Sequence, residues 1–180
     1  MKATIFLAAC LFVNLGAQGV VGQQQEEDLQ DDETNIYKTS KYKYFIEPRQ
    51  KFTWSQALEE CKKKKMNLAT IDSKERADDL KIVLNEAFGY EKKRIPRLYI
   101  GANDLDEFRE FVWIAKGDIF SYTNWEKGEP NNYKKLNERC VHIGFHGDDK
   151  WNDINCNRKY GFICDLVLGV EDLSNLVVKA

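Results

Sequence analysis

Residues 124–164, which read NWEKGEPNNYKKLNERCVHIGFHGDDKWNDINCNRKYGFIC, decide the fold. Side chains with carboxylate or amide oxygens occur here in two separated groups: Glu129, Asn131, Glu138, Asn152 and Asp153. Hard oxygen ligands of this kind suit Ca²⁺, which takes about 6–8 of them, and suit Zn²⁺ or copper poorly. An EF-hand is excluded because its ligands lie within about 12 consecutive residues. The fold must therefore bring two segments together.

The start of the chain predicts secretion. Residues 1–22 combine a basic beginning, an apolar core and small residues near Gly22, which is typical of a signal peptide; a retained signal-anchor is the alternative. The apolar core is shorter than the roughly 18 residues of a membrane span, and we expect no membrane span. In an oxidising compartment the remaining cysteines should form disulfides: Cys61, Cys140, Cys156 and Cys164. Four cysteines allow three pairings, and spacing alone does not choose among them.

Length and charge limit the number of domains and the kinds of partner that we expect for the chain. It has 180 residues and a formal net charge of −2, which offers no general footprint for nucleic acid. Residues 23–40 are polar and mostly acidic, which predicts a flexible arm or, alternatively, an acidic partner-binding segment. Residues 41–166 suit one domain with a single core. In the tail, residues 167–180, the apolar spacing allows a short helix that packs on the domain or faces a partner.

The first half of the domain reads as a strand followed by two capped helices. Residues 42–46 are aromatic and β-branched, as in a strand. Thr53 and Gln56 have the spacing of a capping box, and apolar residues then recur at helical spacing. Lysines at 62–65 end this helix and form either a solvated C-terminus or a heparin-type site. A second capping box at 72–75 predicts another helix, which ends at Gly89.

The second half alternates short strands with long polar loops. Strand character occurs at residues 98–101, 111–114, 140–145, 150–152 and 160–164. The loop of roughly 20 residues before Cys140 is longer than a compact domain keeps without a function. Trp113, Trp125 and Trp151 are expected in the core.

These elements, in this order, resemble a C-type lectin domain. The resemblance covers about residues 42–165 and rests on the two capped helices, Leu98-Tyr99-Ile100-Gly101, Trp113 with Gly117, Asn124-Trp125, Glu129-Pro130-Asn131, Trp151-Asn152-Asp153 and the cysteine order. A secreted single domain with a brief acidic arm is similar to the short C-type lectins of insects. The resemblance implies an α+β fold in which two helices flank two small antiparallel sheets and a long Ca²⁺-binding loop region. It also implies the disulfides Cys61–Cys164 and Cys140–Cys156.

The resemblance further implies one principal Ca²⁺ site that also binds the sugar. Its ligands would be Glu129, Asn131, Glu138, Asn152 and Asp153. The peptide before Pro130 would be cis, and Tyr133 and Ile154 would touch the sugar ring. The order Glu-Pro-Asn resembles that of members favouring equatorial 3- and 4-hydroxyls, as in mannose, N-acetylglucosamine and glucose.

An auxiliary Ca²⁺ site is doubtful. In the family it needs further acidic residues, for which Asp104 and Glu107 are the candidates. Asn132 and Arg139 stand where carboxylates would help, so we do not expect this site to be filled.

The implied function is Ca²⁺-dependent recognition of glycans on glycoproteins or microbial surfaces, in innate immunity. One domain holds a monosaccharide weakly, so useful avidity would need a homo- or hetero-oligomer. The rival is a protein-binding module in which Ca²⁺ is structural. We expect no enzyme, because His142 and His146 have no evident nucleophile or open metal site and read as ordinary surface or strand residues.

Overall fold

The two ends of the domain pair with each other. A computed structural model describes residues 34–89, 94–104, 110–133 and 137–169. Strand β2 (Tyr42–Phe52) runs antiparallel to the last strand, β9 (Tyr160–Val167), with Tyr42 opposite Val167. Strand β1 (Ile36–Lys38) pairs with the other edge of β2. Only β2 therefore separates the first and last strands of the domain in the sheet.

Strand β1 corrects the boundary of the predicted flexible arm. We assigned residues 23–40 to that arm, but Ile36–Lys38 lies within this range and is paired. Ile36 and Tyr37 pack against the apolar core. Their burial offsets the conformational entropy that this segment loses on ordering, which we had expected to keep it flexible because its surroundings are acidic. The predicted signal peptide, residues 23–33 of the arm and residues 170–180 of the tail lie outside the described residues.

Two helices begin at side-chain caps. In α1 (Trp54–Lys63) the predicted capping box is present, since the Thr53 hydroxyl accepts from Gln56 N–H and the Gln56 side chain accepts from Thr53 N–H. Helix α2 (Lys74–Phe88) begins at Ser73, which lacks the reciprocal half of the predicted second box because its third helical residue is Arg76. Gly89, at φ 68°, ends α2 as predicted. Neither helix has the length and apolar character of a membrane span.

The strands form one mixed sheet. The remaining strands are β3 (Asn67–Leu68), β4 (Leu98–Asn103), β5 (Val112–Trp113), β6 (Asp118–Ile119), β7 (Glu138–Ile143) and β8 (Asn152–Asn155). Strand β4 runs parallel to β9 and antiparallel to β5 and β7, and it joins the two predicted antiparallel sheets into one. A Cβ on Gly101 would lie 2.3 Å from the Leu68 carbonyl oxygen, so only glycine allows this approach of β3. The predicted α+β class is confirmed.

Both disulfides lie in one apolar cluster with α1. The structure joins Cys61 to Cys164 and Cys140 to Cys156, the pairs that the resemblance implies. They span 103 and 16 residues of sequence. In the chain-entropy model they restrict the unfolded chain by about 4–5 and about 3 kcal/mol. The first therefore ties α1 to β9, and the second secures the hairpin that leads to the long loops.

Candidate functional site

An aromatic cluster beneath the long loops aligns the two segments that carry the oxygen ligands. The Trp151 ring lies 5.5 Å from that of Trp113 and 5.6 Å from that of Trp125. Trp125 and Trp151 also form a parallel backbone bridge, in which Trp151 N–H donates to Asn124 O at 3.0 Å. The segments that lead to Glu129 and to Asn152 thus start side by side. Core placement is confirmed for Trp113 and Trp151, which are 1% and 0% exposed.

The β7–β8 hairpin presents the second group of ligands. Glu138 is the first residue of β7, and Asn152 and Asp153 are the first two residues of β8. The register places Asn152 opposite His142 and Asp153 opposite Val141. The Cys140–Cys156 disulfide ties the two strands together where Glu138 enters the hairpin. These positions are consequently set by paired strands rather than by the loop itself.

The carboxylate of Asp153 holds the loop that carries Glu129 and Asn131. Asp153 is fully buried, and its two oxygens accept from Asn131 N–H at 3.0 Å and from Asn132 N–H at 2.9 Å. Glu138 Oε2 accepts from Tyr133 N–H at 2.6 Å. The peptide between Glu129 and Pro130 is cis. Charged acceptors on rigid strands therefore shape the loop through its backbone.

Asn132 has a local role that the sequence did not indicate. Its Oδ1 accepts from Glu138 N–H at 3.0 Å, which closes the loop onto the start of β7. Its φ is +46°, a left-handed conformation that asparagine tolerates better than most residues. We considered Asn132 only as a poor auxiliary ligand, whereas the structure uses it to close the loop.

The long loop and the β7–β8 hairpin together line an open groove of about 560 Å³. Four predicted ligands line it, together with both predicted sugar-contact residues: Glu129, Asn131, Glu138, Asn152, Tyr133 and Ile154. Asp153 lies beneath, where it holds the loop. Its wall also contains residues that were not predicted as part of a site: Arg97, Phe145, Arg158 and Tyr160. They come from segments far apart in sequence, and no local pattern marks them as neighbours.

The electrostatics of the groove fit a cation. Burial, a hydrogen bond with Asp153 and the charges of Asp153 and Glu138 raise the pKa of Glu129 to about 7. Crowding like charges in a partly buried place costs free energy, which a divalent cation would offset. Three carboxylates and two amide carbonyls are also the donor chemistry that Ca²⁺ takes.

The present side-chain positions do not form a ready-made metal cage. Within the described ranges, no group of three or more His, Cys, Asp or Glu side chains is arranged to hold a metal. The reason is visible in the hydrogen bonds, because Glu129 Oε1 accepts from Asn131 Nδ2 at 2.7 Å and the Asp153 oxygens face backbone N–H groups. The residues fit Ca²⁺ in chemistry, and their oxygens would have to turn from these donors towards the ion.

His142 orients one of the predicted ligands from below. We read it as an ordinary surface or strand residue, but it is a fully buried residue of β7. Its Nδ1 lies 2.8 Å from the Ile143 carbonyl oxygen and must donate to it. Burial lowers the pKa of His142 to about 4, so the ring is neutral at pH 7 and Nε2 accepts from Asn152 Nδ2 at 3.2 Å. This contact leaves Asn152 Oδ1 as the amide oxygen available to the groove.

Of the two candidate auxiliary ligands, the structure describes only Asp104. Asp104 is buried, and its N–H donates to the Arg139 carbonyl oxygen at 2.8 Å. Glu107 lies outside the described residues. The doubt about an auxiliary Ca²⁺ site therefore stays a prediction.

Comparison with known proteins identifies a matching family model and relatives. Residues 50–166 match the family model described as Lectin C-type domain. Lectin subunit alpha of Sarcophaga peregrina is 35% identical over 131 residues, which span 68% of this chain but only 44% of that protein. Salivary C-type lectin 2 of Aedes albopictus is 33% identical and matches 66% of this chain and 80% of its own length. A C-type lectin mannose-binding isoform of Oxyuranus scutellatus is 36% identical, over 68% and 74% of the two chains.

Solved structures share the fold. The cow C-type carbohydrate-recognition domain of CD23, solved in the presence of GlcNAc2Man3 oligosaccharide, is 29% identical with a TM-score of 0.60, over 75% of this chain and 95% of its own. Herring type II antifreeze protein is 24% identical with a TM-score of 0.61, over 76% and 98% of the two chains. The second likeness concerns the fold alone, so the fold by itself does not assign a ligand.

Proposed function

Because the chain belongs to the C-type lectin domain family, we propose that it is a secreted, Ca²⁺-dependent carbohydrate-binding protein of the mannose type. Proteins of this family bind carbohydrate without catalysing a reaction, and the protein is not an enzyme. The observation that carries the proposal is the groove, which gathers Glu129, Asn131, Glu138 and Asn152 above the buried Asp153. Every residue of this set carries a side-chain oxygen.

Each half of the groove supplies an acceptor and a donor for one sugar hydroxyl. On one side the Glu129 carboxylate would accept from the hydroxyl and the Asn131 amide would donate to it. On the other side Glu138 and Asn152 would play the same parts. Bound Ca²⁺ would supply direct coordination of the two hydroxyl oxygens. Tyr133, whose side chain is 56% exposed, and Ile154 would contact the apolar face of the ring.

The sugar class follows from the order of these groups. Glu129-Pro130-Asn131 resembles the order in members that favour equatorial 3- and 4-hydroxyls, so we assign mannose, N-acetylglucosamine and glucose. The mannose-binding relative at 36% identity supports this assignment. We further propose that residues 1–22 direct secretion and that the ligands are glycans of glycoproteins or microbial surfaces. A homo- or hetero-oligomer would supply the avidity that one domain lacks.

The rival function is a protein-binding module in which Ca²⁺ is structural. One observation favours it: the carboxylates of Asp153 and Glu138 already hold loop N–H groups. In that case Ca²⁺ would change the stability of the protein, and neutral sugars would not bind.

Retention on mannan-agarose with Ca²⁺, followed by elution with EDTA, tests the proposal. We expect retention, inhibition by mannose and weaker inhibition by galactose. The double variant Glu129→Gln/Asn131→Asp should shift inhibition towards galactose, because it exchanges the donor and acceptor positions. Flow-through in the presence of Ca²⁺, combined with Ca²⁺-dependent stabilisation in a thermal melt, would favour the rival.

A further inference from the structure

Two arginines line the same groove as the proposed sugar site. At about 560 Å³ it is in the range of pockets that enclose ligands larger than one sugar ring. Its lining includes Glu129, Asn131, Glu138 and Asn152, which the proposed function uses. It also includes Arg97, Phe145, Arg158 and Tyr160, a set that we call the arginine wall. The proposed function gives this set no role.

Arg97 is held in place by aromatic rings and by its backbone. Its guanidinium lies 5.2 Å from the centre of the Phe145 ring and 5.6 Å from that of Tyr160. Its carbonyl oxygen accepts from Gly161 N–H at 3.1 Å and from Gln50 Nε2 at 3.0 Å. Stacking on a ring leaves the edge of a guanidinium, with its N–H donors, free to face a ligand. Arg97 is thus a pre-oriented donor.

Arg158 is anchored through its backbone while its side chain is exposed. Its N–H donates to Asn155 O at 3.0 Å, and its carbonyl oxygen accepts from the Tyr99 hydroxyl at 3.0 Å. The turn that carries Arg158 follows Cys156, whose disulfide fixes the end of the β7–β8 hairpin. The second cation of the wall therefore projects from a braced segment.

Neither arginine has a carboxylate partner among the described residues. Elsewhere in the domain, arginines do have one, since Arg49 pairs with Glu47 and Arg76 with Asp165. Two guanidinium groups that line one groove without a carboxylate partner keep N–H donors available to an anion bound there. Carboxylate, sulfate and phosphate are the groups that guanidinium recognises through paired hydrogen bonds.

We propose that the arginine wall binds an anionic substituent, a carboxylate, sulfate or phosphate, of a glycan whose neutral terminal sugar occupies the Ca²⁺ site. This inference rests on the proposed function. Apolar contact with the glycan is also available in the groove, because Phe145 is 41% exposed. The preferred ligand class is therefore an acidic mannose-type glycan rather than a neutral one.

Competition by paired glycans tests the arginine wall. Mannobiose, its 6-sulfated and 6-phosphorylated forms and a uronic-acid-containing analogue would each compete with immobilised mannan in Ca²⁺. We expect at least one anionic form to bind about 3- to 10-fold more tightly than mannobiose, the size of gain that exposed charge pairs allow. Arg97→Gln with Arg158→Gln should abolish this gain and leave mannobiose binding unchanged. Lys62→Gln with Lys63→Gln removes the same two charges at the end of α1, outside the groove, and should preserve the gain.

The outcomes separate this inference from the proposed function. If mannobiose binds but every anionic form binds equally well, the arginine wall is not an anion subsite and the proposed function stands. If neither neutral nor anionic glycan binds in Ca²⁺, the proposed function fails and this inference falls with it. Anionic binding that persists in EDTA would overturn the coupling of the two subsites. Loss of the gain above about 0.5 M salt would support it, because salt screens exposed charges.

Discussion

The body of the domain and its loop region are stabilised by different interactions. The body, which comprises β2, β4, β9 and both helices, is held by strand pairing and apolar burial, with Leu98 and Ile163 fully buried. The loop region, residues 114–133 and 144–151, is held by the aromatic cluster and by side chains that accept from backbone N–H groups. Asp153 alone accepts two such bonds. Apolar contacts thus dominate one region and charged hydrogen bonds the other.

Because of this difference, we expect residues of the body to determine stability alone, and residues of the loop region to determine both stability and binding. A change in the body should lower the free energy of unfolding and leave the affinity of the folded domain intact. A change in the loop region, or in the strand residues Asp153 and Glu138 that hold it, should alter affinity, because these two side chains both shape the loop and supply proposed ligands. Experiments that perturb one region at a time test this division.

Removing the long-range disulfide should have the largest effect. Cys61→Ala with Cys164→Ala is expected to lower the free energy of unfolding by about 4–5 kcal/mol, because the unfolded chain gains the entropy of a 103-residue loop. Denaturant unfolding measures this. As a matched comparison, Cys140→Ala with Cys156→Ala should cost about 3 kcal/mol and should also weaken Ca²⁺ binding. If the two double variants lost Ca²⁺ affinity equally, the proposed division between body and loop region would be wrong.

Asp153→Asn should damage the loop region with little effect on the body. The amide can accept from only one of the two loop N–H groups and brings one charge fewer to Ca²⁺. We expect Ca²⁺ affinity to fall at least tenfold, as measured by calorimetry. Asp118→Asn, an exposed change on β6, is the control. Unchanged Ca²⁺ affinity in Asp153→Asn would remove Asp153 from the proposed site.

His142→Ala should weaken Ca²⁺ binding through Asn152. Without the Nε2 acceptor the amide loses its fixed orientation, and groups that orient a metal ligand are typically worth about 10- to 100-fold in affinity. His142→Gln offers a carbonyl oxygen as a replacement acceptor and should recover part of the loss. His146→Ala, at an exposed position, is the control. A glutamine variant as weak as the alanine variant would indicate that His142 acts only through packing.

Ca²⁺ affinity should decrease as the pH falls through 7. The pKa of Glu129 is raised to about 7, so the metal-free site holds a proton below that pH, and Ca²⁺ must displace it. We expect a decrease of about tenfold between pH 8 and pH 6. For the same reason, Glu129 stabilises the metal-free protein at low pH, and this contribution is lost as the pH rises through 7.

Calorimetry in buffers of different ionisation enthalpy measures this proton release. Glu129→Gln cannot release the proton and should flatten the profile between pH 6 and 8. A wild-type affinity that is constant across this range would contradict the raised pKa.

Local patterns and ordered motifs in the sequence predicted much of the architecture, but they did not predict the tertiary contacts. The Thr53–Gln56 box and the helix end at Gly89 depend on neighbours within a few residues, so spacing alone indicates them. The burial of His142 against Asn152 depends on the register of β7 and β8, which spacing does not determine. Arg97 and Arg158 line the same groove because they precede β4 and β9, whose parallel pairing no local pattern encodes.

Prediction from the sequence has the same limit at the candidate site. The five candidate oxygen ligands could be proposed from the sequence because residue type and order distinguish them. Asn132 was not, because its role depends on a positive φ and on a bond to Glu138 that appear only in three dimensions.

The pairing of Tyr42 with Val167 has a practical consequence for how the domain can be displayed. The domain begins on β1 and ends on β9, which only β2 separates in the sheet, so tethers at its two ends pull on neighbouring parts of the sheet. Immobilising the domain through its amino-terminal or its carboxy-terminal side should therefore present the groove to a glycan surface in similar orientations. An array built from either end would be expected to gain avidity in the same way.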